Sequence, residues 1–159
     1  LANLAITKEL IAPSGQVFDT NRSVTLTGAT VLNVRQHADK PIILNNATGF
    51  QVTLPAAIGS GAKFEIHVGT TVTSGSMTIK VANSTDVMNG LALQSQDAGA
   101  TLQAFETAAS DDTITFNGTT TGGIIGDKVE LVDAKPGFWL VQIRGAATGT
   151  EATPFSATV

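Results

Sequence analysis

Hydrophobic and polar positions alternate along most of this chain. In the segment 63–68, Phe64, Ile66 and Val68 share one side, and Lys63, Glu65 and His67 share the other. Met77, Ile79 and Val81 stand in the same way against Ser76, Thr78 and Lys80. So do Phe50, Val52 and Leu54 against Gln51 and Thr53, and Ile114 and Phe116 against Thr113 and Thr115. A period of two sends successive side chains to opposite faces of an extended chain, so each segment predicts a strand with one face in a core and the other in water. Further strands are predicted at 23–27, 30–35, 41–44, 87–93, 128–132 and 138–144. Between them lie turn-forming runs such as Asn-Asn-Ala-Thr-Gly, Gly-Ser-Gly, Thr-Ser-Gly-Ser, Asn-Gly and Lys-Pro-Gly. Some ten short strands with glycine turns predict an all-β fold, an antiparallel β-sandwich or jelly roll, or else a small β-barrel.

The shared phase also predicts the core: Phe50, Leu54, Phe64, Ile66, Ile79, Ile114, Phe116, Leu131, Trp139, Val141 and Ile143. Only 3–11 and 95–109 have room for helix, the latter because Leu102, Phe105 and Ala109 fall at helical spacing. A faint internal repeat relates 52–66 to 114–131, each followed by another alternating strand, and suits two similar four-stranded halves. The organisation predicted is an extended N-terminal arm over residues 1–20 and a single β domain over 21–159. The arm carries Leu4, Ile6, Leu10, Ile11, Val17 and Phe18, too apolar for a free tail, while Pro13 and Gly15 break any single element. Such a segment docks on a neighbouring subunit or on a larger assembly, or packs on its own domain as an extra strand.

Composition narrows the function. Charged residues are 14% of the 159, against about 25% in ordinary soluble domains; the apolar content excludes a disordered chain. The net charge of −4 and nine scattered basic residues exclude nucleic acid as the main partner, since phosphate binding needs clustered cations. There is no cysteine, which excludes disulfides and thiol chemistry. No run approaches a membrane span, and the first residues lack the basic start and long apolar stretch of a signal peptide, so no membrane partner is expected. The four Asn-X-Ser/Thr sites, at Asn21, Asn46, Asn83 and Asn117, are expected by chance in so Thr-rich a chain and are read as unglycosylated.

Candidate chemistry is thin. Gly59-Ser60-Gly61 has the glycines of a phosphate loop but is followed by a strand, where such a loop needs a helix. The reading is a connector: Pro55 closes one strand, Gly59 and Gly61 take positive φ, and Lys63 begins the return. His37 with Asp39, and His67 with Glu65, have no ligand spacing and are read as surface histidines. Asp111, Asp112 and Asp127 lack any calcium-loop pattern and are read as turn and strand-edge residues. No serine sits in a nucleophile elbow, and no carboxylate pair suggests glycoside hydrolysis. Trp139 alternates with Val141 and Ile143 as a core residue. No catalytic residue, cofactor or metal is predicted, and the chain is not expected to be an enzyme.

Two stretches carry a resemblance. One is Val52-Thr-Leu-Pro-Ala-Ala through the Gly-Ser-Gly turn to Phe64 and on to Gly90. The other begins at Gly126-Asp-Lys-Val-Glu-Leu, passes through Gly137-Phe-Trp-Leu-Val, and ends in Thr148-Gly-Thr-Glu-Ala-Thr-Pro-Phe. Together, over about residues 38–155, they resemble small β-rich virion proteins of tailed bacteriophages, of the head-decoration and head-fibre kind. The resemblance implies a capsid-surface protein, commonly a homotrimer, that binds the major capsid protein. It would be made in the host cytoplasm and localised to the virion. The alternative it leaves is a head- or tail-fibre adhesion module that binds a host-surface receptor or carbohydrate.

Overall fold

The computed structural model describes residues 9–11, 17–19, 22–97 and 101–159. In chain order the strands are β1 (Glu9–Ile11), β2 (Val17–Asp19), β3 (Val24–Leu26), β4 (Thr30–Val31), β5 (Pro41–Leu44), β6 (Gln51–Thr53) and β7 (Lys63–Val68). They continue with β8 (Met77–Lys80), β9 (Val87–Gln96), β10 (Leu102–Glu106), β11 (Thr113–Phe116), β12 (Lys128–Lys135), β13 (Phe138–Ala147) and β14 (Phe155–Ser156). A seven-stranded sheet has the order β10-β9-β13-β12-β7-β5-β3, and a five-stranded sheet the order β14-β11-β8-β6-β4. Their inner faces share one core, so the fold is an all-β sandwich. β1 and β2 form a separate antiparallel pair. The remainder of the predicted arm, with Leu4 and Ile6, lies outside the described residues.

Of the eleven predicted core residues, ten are buried, and Phe50 packs half-buried at the margin. Phe64 meets Trp139 at 5.8 Å between ring centroids, tilted by 60°. Thr113, on the polar side of its strand, is nevertheless buried: the C-terminal residues cover it, and its hydroxyl is bonded to Asp112 and Thr158.

The pairing differs from the antiparallel expectation. From β3 to β8 the chain alternates between the two sheets, and each strand runs parallel to the one it joins: β3 with β5, β5 with β7, β4 with β6, β6 with β8. A chain that leaves a sheet, makes one strand opposite and returns arrives in its original direction. Coiling therefore produces parallel neighbours, where a hairpin produces antiparallel ones. In-register aliphatic stacks tie the turns together, Val24 on Ile42 on Ile66 in one sheet and Val52 on Ile79 on Ile114 in the other. The second half is mainly hairpin-built, and the β12–β13 hairpin sits between β7 and β9, parallel to β9. This is neither the all-antiparallel strand order of a jelly roll nor a closed barrel.

Two local expectations are corrected. The strand predicted over 30–35 stops at Val31, because Asn33 caps a short helix, α1 (Val34–His37), by accepting the Gln36 N–H at 2.9 Å. Where 95–109 had room for helix, the described residues form the end of β9 and the edge strand β10. Cross-strand pairing overrides the spacing, sending Phe105, opposite Ala92, toward the core and leaving Leu102 exposed. The internal repeat holds for two strands of each copy, since β6 and β11 lie in the small sheet and β7 and β12 in the large one. The third strands part company: β8 returns to the small sheet and β13 stays in the large one. Among the described residues no helix is long and apolar enough to cross a membrane.

Candidate functional site

The Gly-Ser-Gly loop does hold an anion, and the anion belongs to the chain itself. The Asp133 carboxylate accepts the Gly59 N–H at 2.8 Å, the Ser60 N–H at 2.8 Å, the Ile58 N–H at 3.3 Å and the Ser60 hydroxyl at 2.6 Å. Positive φ at Gly59 and Gly61 turns these donors inward. Asp133 is 2% exposed, so the cradle is filled from within. The connector reading stands, with a structural carboxylate added to it.

The same device recurs. Asp127 accepts the Gly123, Ile124 and Ala146 N–H groups at 2.7, 3.0 and 2.9 Å. Asp112 accepts those of Thr158 and Val159, Asp111 that of Ala108, and Asp86 that of Ala57. Each buried aspartate thus satisfies backbone donors of a turn or terminus that would otherwise be orphaned. The sequence reading of Asp111, Asp112 and Asp127 as turn and strand-edge groups matches these positions. Among the described residues, no group of three or more His, Asp or Glu side chains could hold a metal ion.

Three of these carboxyls are shifted, in opposite directions. At Asp133 and Asp112 burial raises the pKa, but the hydrogen bonds outweigh it and hold both groups below the ordinary 3.8. At Asp127 burial dominates its three N–H bonds and pushes the carboxyl above that value. Groups with a depressed folded pKa supply stability that is present above their unfolded pKa and lost as pH falls through the folded one. Asp127 works the other way, favouring the fold as it takes up a proton. The thermal midpoint is therefore expected to fall with acid below about pH 4. A melting series on the wild type and on Asp112→Asn and Asp133→Asn checks this, each variant showing a shallower acid decline than the parent.

Three of the Asn-X-Thr sites are turns of one kind. The Oδ1 atoms of Asn46, Asn83 and Asn117 accept the backbone N–H of Thr48, Thr85 and Thr119, and the hydroxyl of the same threonine. An amide oxygen two residues before a threonine closes such a loop unaided. The pattern has a local structural cause, and chance is not needed to explain it. Asn21 lies outside the described residues.

The histidines part ways. His37 is buried, a correction to the surface reading: α1 folds back so that its Nδ1 accepts the Asn33 N–H at 3.0 Å. His67 stays on the outward side of β7 and meets Glu65 at 2.7 Å. Lys128 joins them from β12, 3.3 Å from Glu65 and 2.7 Å from Glu130. The hydrogen bond from His67, helped by Lys128, lowers the Glu65 pKa, and Glu130, then Glu65, raise that of Lys128.

This cluster belongs to a larger pattern on the outer face of the seven-stranded sheet. Register places Leu93, Arg144, Lys128 and His67 side by side on β9, β13, β12 and β7. The adjacent row, two residues along each strand, reads Leu91, Gln142, Glu130 and Glu65. A cationic row thus lies beside an anionic one, with leucines at the same end of both. Leu140, opposite Val132, adds apolar surface in the next row. The outward positions were predictable from alternation, whereas the rows needed the register. Shallow depressions on this face, between Glu65 and Val132 and between Glu130 and Leu140, lack the enclosed depth of a small-molecule site.

No family model, curated protein or solved structure matches the chain.

Proposed function

We propose that this chain is a non-enzymatic structural protein of a bacteriophage virion, decorating or cementing the outside of the capsid by binding the major capsid protein as an oligomer. The observation that carries the reading is how the polar groups are used. The buried aspartates are all engaged in holding turns and termini, while the outer sheet face carries exposed leucines beside its charged rows. A rigid β body with low charge and pinned loops suits a role on a particle exterior. The phage assignment itself comes from the sequence resemblance, which also implies three copies per assembly.

Quantitative protein analysis of purified virions tests this. The expected result is a copy number in simple ratio to the major capsid protein, with the chain released from the outside of intact heads. A few tens of copies per particle would instead identify a fibre adhesion module, and absence from virions would overturn the proposal.

A further inference from the structure

The two charge rows on the outer face have a symmetry consequence. We infer that this face is a two-fold contact with a second copy of the chain, its axis parallel to the sheet just above the outer face, running across the strands between the cationic and anionic rows. Rotation about such an axis lays the row of one copy on the adjacent row of the other. Lys128 then faces the partner's Glu130, His67 faces the partner's Glu65, and Leu93 faces the partner's Leu91. Lysine then meets carboxylate, leucine meets leucine, the imidazole meets a carboxylate that can accept its hydrogen bond, and Arg144 lies over the partner's Gln142. Two-fold axes along the strands do the reverse: one between β13 and β12 sets Arg144 over the partner's Lys128, like on like.

The geometry permits the contact. The rotation reverses strand direction and keeps strand axes aligned, the arrangement in which sheets pack face to face about 10 Å apart. Arg144 and Glu106, both exposed, have no ion-pair partner among the described residues, and Arg144 would come to lie beside the partner's Glu130. Four strands by four rows span roughly 19 by 20 Å. That is below the usual size of a specific interface, so the contact is expected to be weak and transient. It draws half of its matching from charge and should weaken as salt is raised.

Sedimentation of the purified full chain over a concentration series tests this without reference to any virion. The expected result is a monomer–dimer equilibrium that shifts toward monomer in about 0.5 M salt. Lys128→Glu is expected to weaken association at least about tenfold by placing acid on acid across the axis, and Arg144→Glu to do the same without touching an ion pair inside the chain. The double exchange Lys128→Glu with Glu130→Lys restores opposite charges across this axis as well as within the chain, and should bring association back to within about threefold of the wild type. Thermal melts of each variant confirm that the monomers are folded. A monomer at all concentrations, a closed trimer, or a double exchange no better than the single reversal would overturn the inference. Each of these leaves the capsid reading standing, and absence from virions leaves the dimer standing.

Discussion

Replacing Asp133 with alanine is expected to lower the unfolding free energy by about 3 kcal/mol. The substitution removes the acceptor for three backbone N–H groups and one hydroxyl, at residues 58–60. Hydrogen bonds to a charged acceptor are worth about 1.5–3 kcal/mol each, and they do not add fully when the loop can relax into water. Against a total stability of about 5–15 kcal/mol the loss is large. Asp133→Asn keeps one acceptor oxygen and turns a donor toward the remaining N–H groups, so it should recover only part of the loss. Chemical denaturation gives the free energies. Amide exchange supplies the local signature, faster exchange at Ser60 in both variants under conditions where the core amides stay protected. Unchanged exchange at residues 58–60 would show that the loop does not depend on the carboxylate.

Phe64→Ala is expected to cost about 3–5 kcal/mol, enough to unfold a marginal domain. Phe64 is 1% exposed, sits opposite Leu131 across the β7–β12 ladder, and packs its ring against Trp139. Removing the ring leaves a cavity between the two sheets that neighbouring β-branched side chains cannot collapse to fill. Phe64→Leu should lose less, since more of the volume is kept. A denaturation midpoint for Phe64→Ala equal to that of the wild type would show that the sandwich is not packed around this ring.

The core was legible because the central strands of both sheets keep one face dry, and that alone sets the period of two. Direction was not legible. A strand buried on one face alternates in the same way whether its neighbour is parallel or antiparallel, so the coil of β3 to β8 leaves no mark on the alternation. The aspartate cradles were illegible for a different reason. Ser60 and Asp133 are separated by 73 positions, and nothing near either residue names the other. The Asn-X-Thr turns are the converse case. Both partners lie within two residues, so the signal is present in full, but the same three letters also describe a glycosylation site. The charge rows fall between. Alternation assigns Lys128, Glu130, His67 and Glu65 to the outer face, yet their side-by-side order exists only once β12 is paired with both β7 and β13.

The placement of the β12–β13 hairpin between β7 and β9 also bears on how the chain acquires its structure over time. β9 pairs with β13 across 51 positions, Val87 with Phe138, whereas the coiled turns before it join residues 18 to 27 apart, such as Val24 with Ile42 and Val52 with Ile79. Contacts distant in sequence form late because closing a long loop costs entropy before any contact repays it. The coiled half therefore nucleates first. Until the hairpin arrives from the ribosome or from the unfolded chain, the facing edges of β7 and β9 stand open, and an unpaired strand edge is where a β protein joins the wrong neighbour. Insertion of this hairpin is then the slow step of refolding, and chains ending before residue 147 are the ones most prone to aggregate.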